Sequence, residues 1–273
     1  MKLFGFCLLI IAYSSSLFAN GENTSFTHYN PEKPLALEMV YTAEQTRDYQ
    51  NFEQYGIYNQ LDLSAVYSLT PKDDLRLYGS MLYQSYEDER KGEFTWDLAE
   101  FMYRRNNLLN EADHGVQLSI ELKNYYLLDV DRRDRYGFDG AFVPQLIFKK
   151  HFTRKFITEA KLRHHFYYVN NGKESTLGNE YRAYLTPIYV ITRNFFVMTE
   201  FKWRHKIREA KTFQPEKTDQ VYVRPSMLYL ANSKLLVEGY WSTELFKSHD
   251  NQVLAENWDK SGVFGLSAYI TAF

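Results

Sequence analysis

Four successive segments, 156–169, 180–191, 195–208 and 219–230, place cations at every second position. The first reads Glu159, Lys161, Arg163, His165, Tyr167 on one phase. The second contributes Arg182 and Tyr184, the third Glu200, Lys202, Arg204, Lys206 and Arg208, and the fourth Tyr222 and Arg224. Period-two spacing puts such a series on one face of a strand. Fixed cations on one face break no bonds themselves. Their chemistry is electrostatic: they attract, orient and pass anions when water reaches them.

Bond-breaking chemistry has weaker support in the sequence. A nucleophile needs a base within hydrogen-bond reach. His164 and His205 fall on the opposite phase from the cations, with no serine on that phase of their strands, and the neighbouring segment supplies Tyr181 and Ala183 there. The local His-x-Ser pattern of the outer-membrane phospholipase family is absent. His164 and His165 point to opposite faces, so they cannot chelate one ion. Ser248-His249-Asp250 resembles a catalytic triad in letters only, because it lies in a polar loop. Asp129-Val130-Asp131-Arg132-Arg133 is a mixed-charge loop, a place for calcium or lipopolysaccharide contact but read first as a solvated loop. No glycine-rich phosphate loop occurs. The expectation is therefore no enzyme, no cofactor and no metal. A lipid hydrolase stands as the competing reading if Ser, Thr or Asp reaches His164 or His205.

The elements that carry the cations share one pattern. In Leu61, Leu63, Ala65, Tyr67, Leu69 the apolar residues alternate with Asp62, Ser64, Val66, Ser68. Such alternation means a strand with two different faces. It recurs in 34–45, 56–69, 75–85, 94–105, 115–128, 136–148, 156–169, 180–191, 195–208, 219–230, 235–247 and 261–273. Thr70–Asp74, Thr192–Asn194 and Ala231–Lys234 are tight turns, and the slightly longer connections Asn106–His114 and Lys149–Lys155 belong to the same set. The alternate connections, 46–55, 86–93, 129–135, 170–179, 209–218 and 248–260, are more polar and mostly longer. Two-faced segments of about ten residues, joined alternately by short and long connections, are the pattern of an antiparallel up-and-down transmembrane β-barrel. Twelve strands are expected over 34–273, with 10 or 14 as alternatives if a hairpin near 94–115 is merged or split.

Residues 1–19 read as a signal peptide: Lys2, an apolar run from Leu3 to Tyr13 too short to span a bilayer, and a small-residue end at Ala19. Residues 20–33 read as a polar periplasmic tail. Cys7, the only cysteine, lies in the leader, so disulfides and thiolate-bound metal are not expected. Mean hydropathy is −0.47 and no later stretch is long and apolar enough for a transmembrane helix. The chain nevertheless holds 23 Tyr and 20 Phe, clustered near segment ends as interfacial girdles are. The net charge of −2 says little; its placement says more.

With the apolar phase assigned to lipid, the other phase faces the lumen. Lys161, Arg163, Arg182, Lys202, Arg204 and Arg224 then make a basic wall, with Arg163, Lys202 and Arg224 at similar heights. Glu38, Asp62, Glu100, Glu121 and Glu238 make an opposing acidic wall, mixed with Arg76, Arg104 and Lys123. Opposite walls of opposite sign set a transverse field across a narrow lumen. Paired charges can equally fill a small barrel and close it.

A terminal aromatic strand ending in Phe273 resembles the assembly signal of bacterial outer-membrane barrels, which implies the barrel assembly machinery as a partner. Phe273 shares a phase with Tyr269, Ser267 and Gly265, whereas Phe264, Leu266, Ala268 and Ile270 occupy the other, so either a bulge intervenes or the faces are reversed. In strand number, length and basic lumen the chain resembles the small twelve-stranded porins for acidic sugars, the oligogalacturonate and sialic-acid channels. That resemblance is architectural and carries no substrate. The expectation is a monomeric Gram-negative outer-membrane channel, in contact with outer-membrane lipid and lipopolysaccharide, passing small hydrophilic solutes with an anion preference. A closed structural or surface-interaction barrel using loops 46–55 and 248–260 is the alternative. A lumen-enclosed basic face is not a nucleic-acid surface.

Overall fold

In the computed structural model, residues 34–47, 57–84, 94–169, 175–210, 216–232, 235–247, 252–253 and 262–272 are described. The leader, the tail 20–33, Ser248-His249-Asp250 and Phe273 lie outside them. Strands β1 (Leu35–Arg47), β2 (Ile57–Ser68), β3 (Asp73–Gln84), β4 (Phe94–Leu109), β5 (Gln117–Leu127), β6 (Phe138–His151), β7 (Phe156–Val169), β8 (Ser175–Val190), β9 (Phe195–Ala210), β10 (Glu216–Asn232) and β11 (Leu235–Lys247) each pair antiparallel with the next. β12 is a two-residue piece, Gln252–Val253, on the end of β11. β13 (Gly262–Ala272) then pairs with both β11 and β1, which closes a twelve-stranded barrel. A closed barrel leaves no unpaired sheet edge, which is what a lipid environment demands.

Three of the turns share one local solution. In Leu69-Thr70-Pro71-Lys72, Phe152-Thr153-Arg154-Lys155 and Ile191-Thr192-Arg193-Asn194, the second residue is threonine. Its hydroxyl accepts backbone N–H bonds from Lys72 and Asp73 (3.1 and 3.0 Å), from Lys155 and Phe156 (3.2 and 2.9 Å), and from Asn194 (3.3 Å). These are threonine turns that satisfy the chain reversal locally. The connection between β4 and β5, expected over Asn106–His114 as a slightly longer one of the turn set, falls at 110–116. β4 continues to Leu109, past a register break after Arg105, with Asn107 at φ 53. A short helix, α1 (Glu111–His114), then closes it, capped by Asn110 and by Gly115 in the left-handed region. On the other rim, α2 (Val130–Tyr136) sits in the expected loop 129–135. β8 and β10 begin earlier than the alternation indicates, at Ser175 and Glu216, so the connections 170–174 and 211–215 are short.

The outer face is apolar. Leu37, Leu63, Leu77, Leu162, Leu185, Phe201, Met227 and Leu266 are all exposed on it. Aromatics ring both ends. Tyr126 with Tyr168 and Phe142 with Phe166 stack near the loop rim, and Tyr67, Phe152, Tyr189 and Tyr229 lie near the turn rim. This is the lipid-facing belt and double girdle of an outer-membrane barrel. On β13, Phe264 and Leu266 are exposed while Ser267 is buried and Tyr269 bonds inward to Glu238. The apolar phase of that strand is thus the lipid face, and no bulge is needed.

Three prolines, Pro144, Pro187 and Pro225, sit mid-strand on β6, β8 and β10. Pairing with the following strand breaks off around each: between Phe142↔Phe166 and Gln145↔Arg163, between Leu185↔Phe201 and Ile188↔Met198, and between Val223↔Thr243 and Ser226↔Tyr240. A proline has no N–H to give the ladder.

Gly140 is where two backbones meet most closely, because a Cβ there would collide with the carbonyl oxygen of Tyr125. Gly239 has open space around it. Gly140→Ala is expected to cost about 1–3 kcal/mol through overpacking, and Gly239→Ala to be near neutral. Heat-modifiable migration of the refolded proteins, measured against urea, checks the pair.

Candidate functional site

Strand register arranges the lumen charges. Direct partners across successive ladders are Arg104↔Glu121, Glu121↔Gln145, Gln145↔Arg163, Arg163↔Arg182, Arg182↔Arg204 and Arg204↔Gln220. These seven residues form one continuous row crossing β4 to β10. Because strands of a barrel tilt, such a row climbs the wall. It starts beside Asp74, just past a tight turn, and ends beside Lys247 at the loop end of β11. The sequence expectation put Arg163, Lys202 and Arg224 at one height by counting from turns. The register corrects it: Arg163, Arg182 and Arg204 share a row, Lys202 lies in the next (Lys161↔Tyr184↔Lys202↔Tyr222), and Arg224 pairs with Glu200 in a third.

All six basic-wall residues are on the inward phase, and so are Glu38, Asp62, Glu100, Glu121 and Glu238. The signs do not segregate onto opposing walls. Glu121, almost fully buried, takes Arg104 Nε at 2.6 Å, Gln145 Nε2 at 2.8 Å and Lys123 Nζ at 3.2 Å. Gln145 in turn accepts from Arg163 Nε at 2.5 Å. Glu238 is bonded to Arg224 Nη2 at 3.0 Å on the adjacent strand and to the Tyr269 hydroxyl at 2.5 Å. Glu38 pairs with Arg76 at 3.1 Å, Glu100 with Lys123 at 3.8 Å, and Asp62 accepts from Gln60 at 2.7 Å. Carboxylates are interleaved with the cations because an unpaired buried charge is costly, and where Arg163, Arg182 and Arg204 stand in direct register Glu180 sits between two of them.

Glu180 is the residue the sequence reading missed. It is fully buried between the arginines, one inward position from Arg182. Arg182 Nε and Arg204 Nε both bond to its Oε1, Arg204 Nη2 reaches Oε2 at 3.0 Å, and the Tyr167 hydroxyl donates to Oε2 at 2.9 Å. Its inward phase was legible. Its contact with Arg204, twenty-four residues away, needed the register. Lys161 is likewise held by Glu159 at 2.7 Å. Among the described residues, Arg163 and Lys202 have no carboxylate partner. Arg163 lies over Tyr184 (5.3 Å) and Lys202 over Tyr222 (4.9 Å), attractions of the cation–π kind.

Among the described residues, the lumen holds a larger and a smaller cavity. The larger, about 700 Å³, lies toward the loop rim and includes Arg163, Arg182, Arg204, Lys123 and Tyr125 in its wall. The smaller, about 180 Å³, lies toward the turn rim. Arg104, Ile147 and Lys161 line both, so the two meet there. Neither end is uniformly polar. Leu127, Phe138, Ala141, Val143 and Tyr167 cluster at the loop end, and Ile157, Ile188, Val190, Phe196, Leu228 and Leu236 at the turn end. The latter group is inward-facing on five adjacent strands. In sequence its signal is apolarity on both phases, as in Phe195-Phe196-Val197-Met198.

On the outer face, His205 Nδ1 lies 2.9 Å from Asp219 Oδ1, which also takes Trp203 Nε1 at 3.1 Å. His164 Nε2 bonds Asn179 at 3.0 Å and stacks on Tyr181. An aspartate thus reaches one histidine, which is the orienting half of a dyad. Neither histidine has a serine or threonine hydroxyl as partner among the described residues. Among these residues no group of His, Cys, Asp and Glu is arranged to hold a metal ion.

No protein-family model matches the chain, and no curated protein matches it in sequence. Solved structures match its fold. An outer membrane channel from Pseudomonas putida F1 aligns at a TM-score of 0.63 and 13% identity, covering 92% of this chain and 100% of that one. The NanC porin aligns at 0.52 and 8% identity, covering 87% and 99%. The likeness is one of fold: a closed twelve-stranded barrel of the outer-membrane channel type.

Glu180→Gln leaves two half-buried guanidiniums sharing no carboxylate. It is expected to lower barrel stability by about 3–5 kcal/mol, with part of the loss recovered in Glu180→Gln/Arg204→Met. Urea titration of the two variants by tryptophan fluorescence reads the difference.

Proposed function

We propose that the protein is an outer-membrane, porin-like channel through which small hydrophilic solutes diffuse passively, with a preference for anions. The observation that carries this reading is the climbing row of inward guanidiniums, Arg163, Arg182 and Arg204, opening onto a cavity of about 700 Å³. Its support is the fold, shared with an outer membrane channel and a porin. Glu180 anchors Arg182 and Arg204. Arg163 and Lys202 then carry the positive charge that no carboxylate neutralises directly. A solute anion entering from the loop rim meets successive guanidiniums at strand spacing, with Tyr78, Tyr125 and Tyr167 also on the cavity wall.

In this reading the tight turns are periplasmic and the apolar belt contacts outer-membrane lipid, with lipopolysaccharide around its loop-side half. The chain is a monomer inserted by the barrel assembly machinery, and residues 1–19 are its signal peptide. A lipid hydrolase on the outer face is the weaker reading. It has the His205–Asp219 pair but, among the described residues, no serine or threonine hydroxyl bonded to the imidazole, and the surrounding Trp203 and Tyr181 suit an interfacial aromatic belt.

The test is single-channel current of the refolded protein in a planar bilayer, with reversal potential under a salt gradient. Steady anion-selective current is expected. Arg163→Glu should cut the anion-to-cation permeability ratio by about tenfold, within the range that a charged lumen exerts on ion concentration. A correctly folded barrel that carries no current would leave a closed structural barrel as the reading.

A further inference from the structure

We infer that the loop-side cavity binds phosphate monoesters that carry a planar ring, of which nucleoside monophosphates are the simplest class. This inference rests on the channel reading and narrows its solute class.

The charged part of the site is the row Arg163, Arg182, Arg204 on β7, β8 and β9. Neighbouring strands stand about 4.8 Å apart, so one tetrahedral anion can bridge two of these side chains. Arg163 is held by Gln145 through Nε, and Arg182 by Glu180 through Nε. Nε is one nitrogen of a forked donor group, and both side chains stand on the cavity wall. Three guanidiniums with one carboxylate leave two positive charges in excess on this side, before Lys206 opposite Glu180 is counted. The carboxylates on the cavity wall, Glu100 and Glu121, stand on β4 and β5 and are paired there with Lys123 and Arg104. A phosphate monoester carries roughly −1.5 to −2 charge at neutral pH, with three acceptor oxygens. A carboxylate carries a single charge on its two oxygens. The phosphate matches both the excess charge and the forks.

The ring has a wall of its own. Tyr125, Ala141 and Tyr167 stand in direct register, two inward positions nearer the loop rim than the arginines. Ala141 is the small residue between the two tyrosines, and Phe138 packs on Tyr167 at 4.4 Å and lines the same cavity. His165 lies between the two rows on β7. It is 4% exposed, it lines the cavity, and neither ring nitrogen has a hydrogen-bond partner among the described residues. Its ring stacks with Tyr167 at 5.6 Å and meets Tyr125 edge-on at 6.3 Å. A buried polar group without a partner is costly. A phosphate or ribose oxygen placed between the rows satisfies the imidazole. From Arg163 to Tyr167 is four residues of β7, about 13 Å of strand. Phosphate, ribose and base fill that span in order, with the base stacked on the tyrosines.

The experiment measures block of chloride current through the full-length refolded channel by adenosine monophosphate, ribose 5-phosphate and adenosine. Block is read as a fraction of each variant's own current. Adenosine monophosphate should half-block at a concentration at least about fivefold below that of ribose 5-phosphate, the lower end of what one base–aromatic stack is worth. Adenosine should not block in that range. Tyr125→Leu, or Phe138→Leu where the first does not fold, should bring the ratio of the two phosphates toward one. His165→Phe keeps the ring stack and removes both nitrogens, and should raise the half-blocking concentration of both phosphates severalfold. With chloride current intact, equal block by the two phosphates, equal block by adenosine and its monophosphate, or no block by any of the three overturns the inference and leaves the channel standing. A folded barrel without chloride current overturns the channel reading. Calorimetric titration of the same three solutes into that barrel in detergent then decides the inference by the same fivefold margin.

Discussion

A chain that crosses lipid as strands has to satisfy every backbone N–H and C=O within the sheet, and it can do so only by closing the sheet on itself. The pairing of β13 with β1 and β11 is therefore the contact on which the rest depends. Closure sets the stagger of neighbouring strands around the ring, and the stagger decides which inward residues face one another. It also divides the side chains into two environments without intermediate: a lipid face that tolerates almost no charge and an enclosed face where charge must be paired or hydrated. The three mid-strand prolines show how much slack the ring has. Each removes a ladder donor, and the interrupted pairing resumes in the same register on the far side.

Within the lumen, pairing across neighbouring strands wins over segregation by sign. Two opposed walls would leave the row Arg163, Arg182 and Arg204 without a carboxylate beside it, its repulsion unrelieved. The barrel instead inserts Glu121 beside Arg104 and Lys123, and Glu180 between Arg182 and Arg204. Each carboxylate fixes two cations, so the guanidiniums are held at the wall rather than left to sweep the lumen. Arg163 is tied to Gln145 and has no carboxylate partner among the described residues.

The lumen also carries apolar groups at both ends, on different strands: β5 to β7 at the loop rim and β7 to β11 at the turn rim. The basic row climbs between them. Along the row, apolar surface therefore lies beside charged surface, first on one side and then on the other. That arrangement is unlike a water-filled pore with a polar wall throughout.

The sequence by itself determined the architecture. Period-two alternation in segments such as Leu61–Leu69, the aromatic ends and the threonine-led turns are local properties, and local properties decide strand faces. From them followed the twelve strands and the inward phase of Lys161, Arg163, Arg182, Lys202, Arg204 and Arg224. Strand ends were less legible, as at Leu109 and Ser175, because a strand can extend past its alternation wherever its neighbour still offers hydrogen bonds. The relations between strands were decided only by tertiary structure. Alternation says which way a side chain points and nothing about its opposite number, since any even slip of register preserves the faces. That is why the alignment of Arg163 with Arg182 and Arg204, the service of Glu180 to two arginines, and the pairing of Glu238 with Arg224 emerged from the closed barrel alone. The apolar floor around Phe196 was hidden for a related reason. An apolar residue on the inward phase looks like noise in a single strand, and becomes a surface only when five neighbouring strands bring theirs to the same end.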